Sequence, residues 1–249
     1  SWFQVGFSWF FMVPGWFYMV FLQMYLPQLY PGPTIQPRSA TRRAPQDLDN
    51  DEDGVVDNEL VLNELVEKKV WLLMVENESE LDAAIRIPPM GKPFQDLHDE
   101  EVTLINGSPR FDASLEEVLH LITQHGYAEV YPNIFGENKD SEIAKAMDMA
   151  RGGYFKNVPN SYPSNAWYTY DDKTCDYSCQ ITEYTYWALT SILGGQNYPG
   201  RLDEIKQEWR LNTKEKVKNS DPIVFSLMTD PQFNLPTNIP DGCLLYTSP

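Results

Sequence analysis

A second pair of cysteines is missing from this sequence. It has three in all, Cys175, Cys179 and Cys243, and a structural zinc site built on thiolates draws on four ligands. Cys175 and Cys179 can supply two metal thiolates, remain free, or close a local disulfide where the backbone turns; the disulfide implies export. Also absent are a glycine-rich phosphate loop, a GxSxG elbow and a convincing Cys–His pair, which disfavours nucleotide-dependent chemistry and serine hydrolysis. Positive charge is scarce: 19 Lys and Arg stand against 36 Asp and Glu, a formal net charge of −17. Such a chain repels phosphate backbones, so no nucleic-acid partner is expected. Divalent cations and a saline extracellular setting suit it.

Residues 1–30 carry no charged side chain. The run is long enough for a membrane helix, yet it is rich in aromatics and interrupted by Pro14. It has no basic start and no small-residue cleavage site. Three readings stay open for 1–44: membrane anchor, signal remnant or translated non-coding sequence, with membrane a partner only under the first. At the other end CLLYTSP, 243–249, reads as translated adaptor. The expectation is one globular domain over 45–242.

Within it the pattern is mainly helical, in an α+β sense with few short strands. NELVLNELVEKK places Leu60, Val61 and Leu65 at helical spacing, and VWLLMV suits a buried strand. ESELDAAIRI reads as a short helix, and 88–110 as loop. Asp140-Ser141 caps EIAKAMDMAR, which stops at Gly152-Gly153. QITEYTYWALTSIL is apolar nearly all round, so it should be central, ending at Gly194-Gly195. LDEIKQEWRLN reads as a surface helix. Asp221-Pro222 is an N-cap followed by proline in the first helical position.

DNDEDGVVD sets Asp49, Asp51, Asp53 and Asp57 at loop positions 1, 3, 5 and 9, with Gly54 at 6 and the Val55 carbonyl at 7. Alternating carboxylates on a tight turn supply the oxygens that Ca2+ requires. The loop resembles those of EF-hands, dockerins and thrombospondin type 3 repeats. It departs at position 12, where Leu60 replaces the bidentate Glu, and no helix precedes it. A solvated acidic loop explains the same residues without an ion.

SLEEVLHLITQHGY, 114–127, has two readings. In the first, Ser114 is an N-cap, Glu117 completes a capping box, and Gly126 ends an amphipathic helix. In the second, EEVLH puts Glu116 and His120 four residues apart on one helical face, as two ligands from one helix require. EEVLH resembles the zincin motif HEXXH with its first His replaced by Glu. The resemblance implies Glu117 as general base, Glu183 as a third, gluzincin-like ligand from a second helix, and Tyr184 or Tyr186 as oxyanion stabiliser. A carboxylate in place of the first His weakens the zinc preference and admits another divalent transition metal.

SNAWYTYDDKTCDYSCQ is dense in aromatics and acids. It suits a peptide or glycan subsite, with Asp171, Asp172 and Asp176 as acids, or a disulfide-pinned loop packed on the core. Two functions are therefore expected: a secreted or cell-surface calcium-binding metalloprotein with metal-dependent, peptidase-like hydrolase activity, or a non-catalytic extracellular calcium-binding domain that binds protein or glycan.

Overall fold

The computed structural model describes residues 18–20, 48–50, 55–75, 80–81, 93–98 and 113–239. Three short strands form one sheet: β1 (Tyr18–Val20), β2 (Trp71–Val75) and β3 (Phe94–His98), in the order β1-β2-β3. β1 runs antiparallel to β2, and β3 parallel to it with Trp71 opposite Phe94 and Val75 opposite His98. A parallel neighbour needs a crossover. Of the helix expected there, only 80–81 fall within the described residues, and they are helical. The loop expected over 88–110 is corrected in part, because 94–98 is a strand. FQDLH has no run of β-branched residues to announce it; pairing with β2 makes it extended.

The rest is helical, as the sequence pattern indicated. Helix α1 (Glu59–Lys68) is capped by Asn58, whose side chain accepts the Val61 amide at 3.1 Å, and it ends at Lys69 in the left-handed region. Its buried face is Val61 and Leu65; Leu60 is exposed. Helix α2 (Ala113–Ile122) continues through a π turn, Thr123–Tyr127, into Ala128–Val130. Helix α3 is Glu142–Ala150 and α4 is Tyr177–Leu193. Three short helices follow, α5 (Arg201–Ile205), α6 (Lys214–Ser220) and α7 (Pro222–Met228).

Helix α4 is the axis of the fold. Asp176 caps its start, Gly194 at φ 92° ends it, and both its apolar and its hydroxyl side chains are buried along almost its whole length. One core joins residues from Leu48 to Leu235 around it. Trp209 is a correction: the surface helix expected at 202–212 stops at Ile205, and Trp209 is fully buried against Tyr168 and Tyr184, donating to Ser191 Oγ at 2.9 Å. Among the described residues no helix is long and apolar enough to cross a membrane.

The start and end of α2 also differ from the expectation. The helix begins at Ala113, so Ser114 lies within its first turn and not at the cap. Gly126 does not end it. A Cβ there would lie 2.8 Å from Val61 Cγ1, so glycine is what lets α1 approach the π turn. Val61 is fully buried and β-branched, so it has little room to yield. Gly126→Ala is therefore expected to cost about 1–3 kcal/mol by overpacking. Adding Val61→Ala should change that cost by a non-additive amount, read from denaturant midpoints of the two single variants and the double variant.

Candidate metal centre

Two helices and one strand build the site. On α2, Glu116 and His120 are one turn apart and share a face; on α4, Glu183 and Tyr186 are three residues apart and share another. Packing of α2 on α4 brings these faces together. One donor atom from each of Glu116, His120 and Glu183 lies within 4.8 Å of the others. His120 Nε2 is 3.5 Å from Glu183 Oε2. Two donors bound to one ion at about 2.1 Å each sit roughly 3.0–3.4 Å apart, so the triad is near the spacing of a shared ion. His120 is only 5% exposed, and its Nε2 has no hydrogen-bond partner among the described residues. Such a group in a buried place requires a proton partner or a cation.

Phenols surround the carboxylates. The Tyr186 hydroxyl hydrogen-bonds to Glu116, and its ring meets the His120 imidazole edge-on with centroids 5.5 Å apart. Tyr170, from the irregular segment before α4, hydrogen-bonds to Glu183. Burial pushes the Glu116 carboxyl up to about 7, with His120 partly opposing the rise. Burial also raises Glu183. For His120 burial acts in the other direction, but Glu117, Glu183 and Glu116 outweigh it and push the imidazole up to about 9. Without an ion, then, the cluster holds a proton on His120 to balance its carboxylates.

The other residues singled out in the sequence lie as follows. Glu117 faces His120 Nδ1 at 3.7 Å and accepts a hydrogen bond from Gln95 Nε2 on β3. Tyr184 is turned away from the triad, which corrects its expected oxyanion role: its hydroxyl donates to Asp221 Oδ2 at 2.6 Å, inside the core with Tyr168 and Trp209. One residue along a helix turns a side chain by about 100°, so Glu183 and Tyr184 cannot face the same partner. Tyr186 instead lies on the side of the triad, beside Glu116 and His120.

Cys175 and Cys179 form a disulfide at the start of α4. Asp172 accepts from the Thr174 amide, and Asp176 accepts from the Cys179 amide, so both acids shape local turns. In the acidic loop, Asp51 and Asp53 lie outside the described residues. Asp49 is buried, Val55 is exposed, and Asp57 Oδ2 accepts the Asn50 amide at 2.5 Å. The loop closes on itself through the Asp57 amide to Leu48 O, 2.8 Å. It is clasped by the chain near 233–238: Asn58 donates to Phe233 O, Asn234 to Asp57 O, and the Thr237 amide to Asn50 Oδ1.

Sequence reasoning passed over Gln95 and Tyr170. Neither carries a motif, and each reaches the site from a separate segment. The π turn, which begins three residues after His120, was also not foreseen; such turns occur often at functional sites. His125 lies in it, away from the triad and near Lys68, where burial first and the lysine second lower its imidazole to about 4. It is neutral in the folded protein above that pH, whereas an unfolded histidine binds a proton below about 6.5. At this histidine the unfolded chain thus holds more protons between these values, so its own contribution to stability falls as pH drops from about 6.5 towards 4, against the opposite slope of carboxyls such as Glu116 whose range is raised. After discounting for partial exposure, about 1 kcal/mol is expected, read as the pH-dependent part of the stability difference between wild type and His125→Gln.

No family model matches the chain, and no curated protein or solved structure is significantly similar to it.

Proposed function

We propose that this chain is an exported metalloprotein that holds a divalent transition-metal ion, Zn2+ or another of that class, on Glu116, His120 and Glu183 and uses it for hydrolysis of a peptide-like substrate. A second cation, Ca2+, is assigned to Asp49, Asp51, Asp53, Asp57 and the Val55 carbonyl, where it stiffens the entry to α1. The observation that carries the reading is the convergence of three ligand-type side chains from α2 and α4 around a buried imidazole nitrogen that lacks a hydrogen bond. Three protein ligands leave coordination positions for water and substrate, as catalytic metal sites do. A divalent ion there would lower the pKa of a bound water and polarise a carbonyl. The disulfide fits an oxidising compartment, secreted or cell-surface.

A second reading is a non-catalytic extracellular calcium-binding domain that binds protein or glycan. One observation favours it: His120, held up to about 9, can satisfy its carboxylate neighbours as an imidazolium with no ion present.

Elemental analysis separates the two. The full chain and His120→Ala are dialysed against Ca2+ with trace Zn2+ and Mn2+. One equivalent of transition metal in the wild type and none in the variant is expected, with Ca2+ retained by both. Calcium alone in both proteins would overturn the hydrolase reading.

A further inference from the structure

His120 meets a different carboxylate at each ring nitrogen. Nε2 faces Glu183 at 3.5 Å, on the side where the three ligand-type side chains converge. Nδ1, the other ring nitrogen, faces Glu117 Oε2 at 3.7 Å. A neutral imidazole has one lone pair and one N–H, so an ion at Nε2 requires the proton at Nδ1, and that proton needs an acceptor. Glu117 offers one. It is itself held from β3 by Gln95, whose side-chain amide donates to the same Oε2. The i, i+3 spacing of Glu117 and His120 sets the two side chains beside each other at 3.7 Å, where a shift of about 0.7 Å closes a hydrogen bond.

Resting on the metal reading above, we propose that Glu117 is a positioning residue: it accepts the His120 Nδ1 proton, selects the tautomer that presents Nε2 to the ion, and is held in place by Gln95. This removes Glu117 from the general-base role implied by the likeness to HEXXH. A general base must reach water bound to the ion, whereas the Glu117 oxygen meets the imidazole at Nδ1, the nitrogen that does not face Glu183. Carboxylates behind ligating histidines typically contribute 10–100-fold in metal affinity.

The test uses the full chain with Co2+ as the probe, followed by its visible absorption and by competition with Zn2+. Glu117→Gln retains an oxygen acceptor and should bind Co2+ within about threefold of wild type. Glu117→Ala should bind 10–100-fold more weakly, and Gln95→Ala should fall between them. Thermal midpoints in chelator report whether each variant folds. If Glu117→Ala does not fold, long-range 15N–1H correlations of the Zn2+-loaded wild type decide the matter, and with three histidines in the chain assignment is simple. A proton on Nδ1 and metal on Nε2 is expected; the reverse overturns the proposal. Wild-type affinity in Glu117→Ala overturns the positioning role while leaving the metal reading standing. A wild type that binds neither Co2+ nor Zn2+ overturns both.

Discussion

Arg151→Ala is expected to destabilise the protein by about 3–5 kcal/mol, because it strands a buried network. Arg151 ends α3 and is fully buried. Its Nη2 donates to Asp148 at 2.5 Å and its Nη1 to Gln180 Oε1 at 2.6 Å and Phe155 O at 3.2 Å. The guanidinium also lies over the Tyr177 and Phe155 rings, at 5.2 and 5.7 Å. Gln180 is fully buried and donates in turn to the Cys175 and Asp176 carbonyls. One cation thus ties the end of α3 to the start of α4. Removing it takes the Arg151 donor from Asp148 Oδ1, Gln180 Oε1 and Phe155 O, while Asp148 Oδ2 keeps the Tyr177 hydroxyl at 3.0 Å, and the cost is that of buried polar groups left unpaired, the Gln180 oxygen above all. Arg151→Lys should recover only part, since an ammonium cannot reproduce the fork. Lys145→Ala, which breaks an exposed pair with Glu142, should stay within about 0.5 kcal/mol. Chemical denaturation of the three variants checks the order.

Saturating transition metal is expected to raise the thermal midpoint of the wild type and to leave His120→Ala and Glu183→Ala unmoved. A ligand that binds only the folded state stabilises by about 2.7 kcal/mol at a hundred times its dissociation constant. At roughly 2–4 °C per kcal/mol for a domain of this size, the shift should be about 5–10 °C and reversible by chelator. Uptake should also release protons at neutral pH, because the imidazole pushed up to about 9 enters as imidazolium and must lose its proton to ligate. Calorimetry in two buffers of different ionisation enthalpy counts them. A midpoint that moves equally in all three proteins would place the metal elsewhere.

Local rules read much of this fold correctly. Ser141 caps α3, Asp221 and Pro222 open α7, and Gly194 closes α4, each through chemistry confined to a few neighbouring residues. The i, i+4 spacing of Glu116 and His120 placed two ligand-type side chains on one face for the same reason, and the short spacing of Cys175 and Cys179 made a local disulfide legible. β3 was not legible, because its extended form comes from pairing with β2. Nor was the burial of Trp209, which depends on Tyr168 and Tyr184 arriving from other segments.

The sequence by itself determined the helical character, the caps at Ser141, Gly194 and Asp221, and the shared face of Glu116 and His120, since these follow from periodicity and from hydrogen bonds within one turn. Only the tertiary structure decided that Glu183 joins them, that Tyr186 and not Tyr184 faces the site, and that Gln95 holds Glu117 beside the imidazole Nδ1. Those placements depend on how α2 packs against α4 and β3, a geometry set by the whole core and not by any one segment.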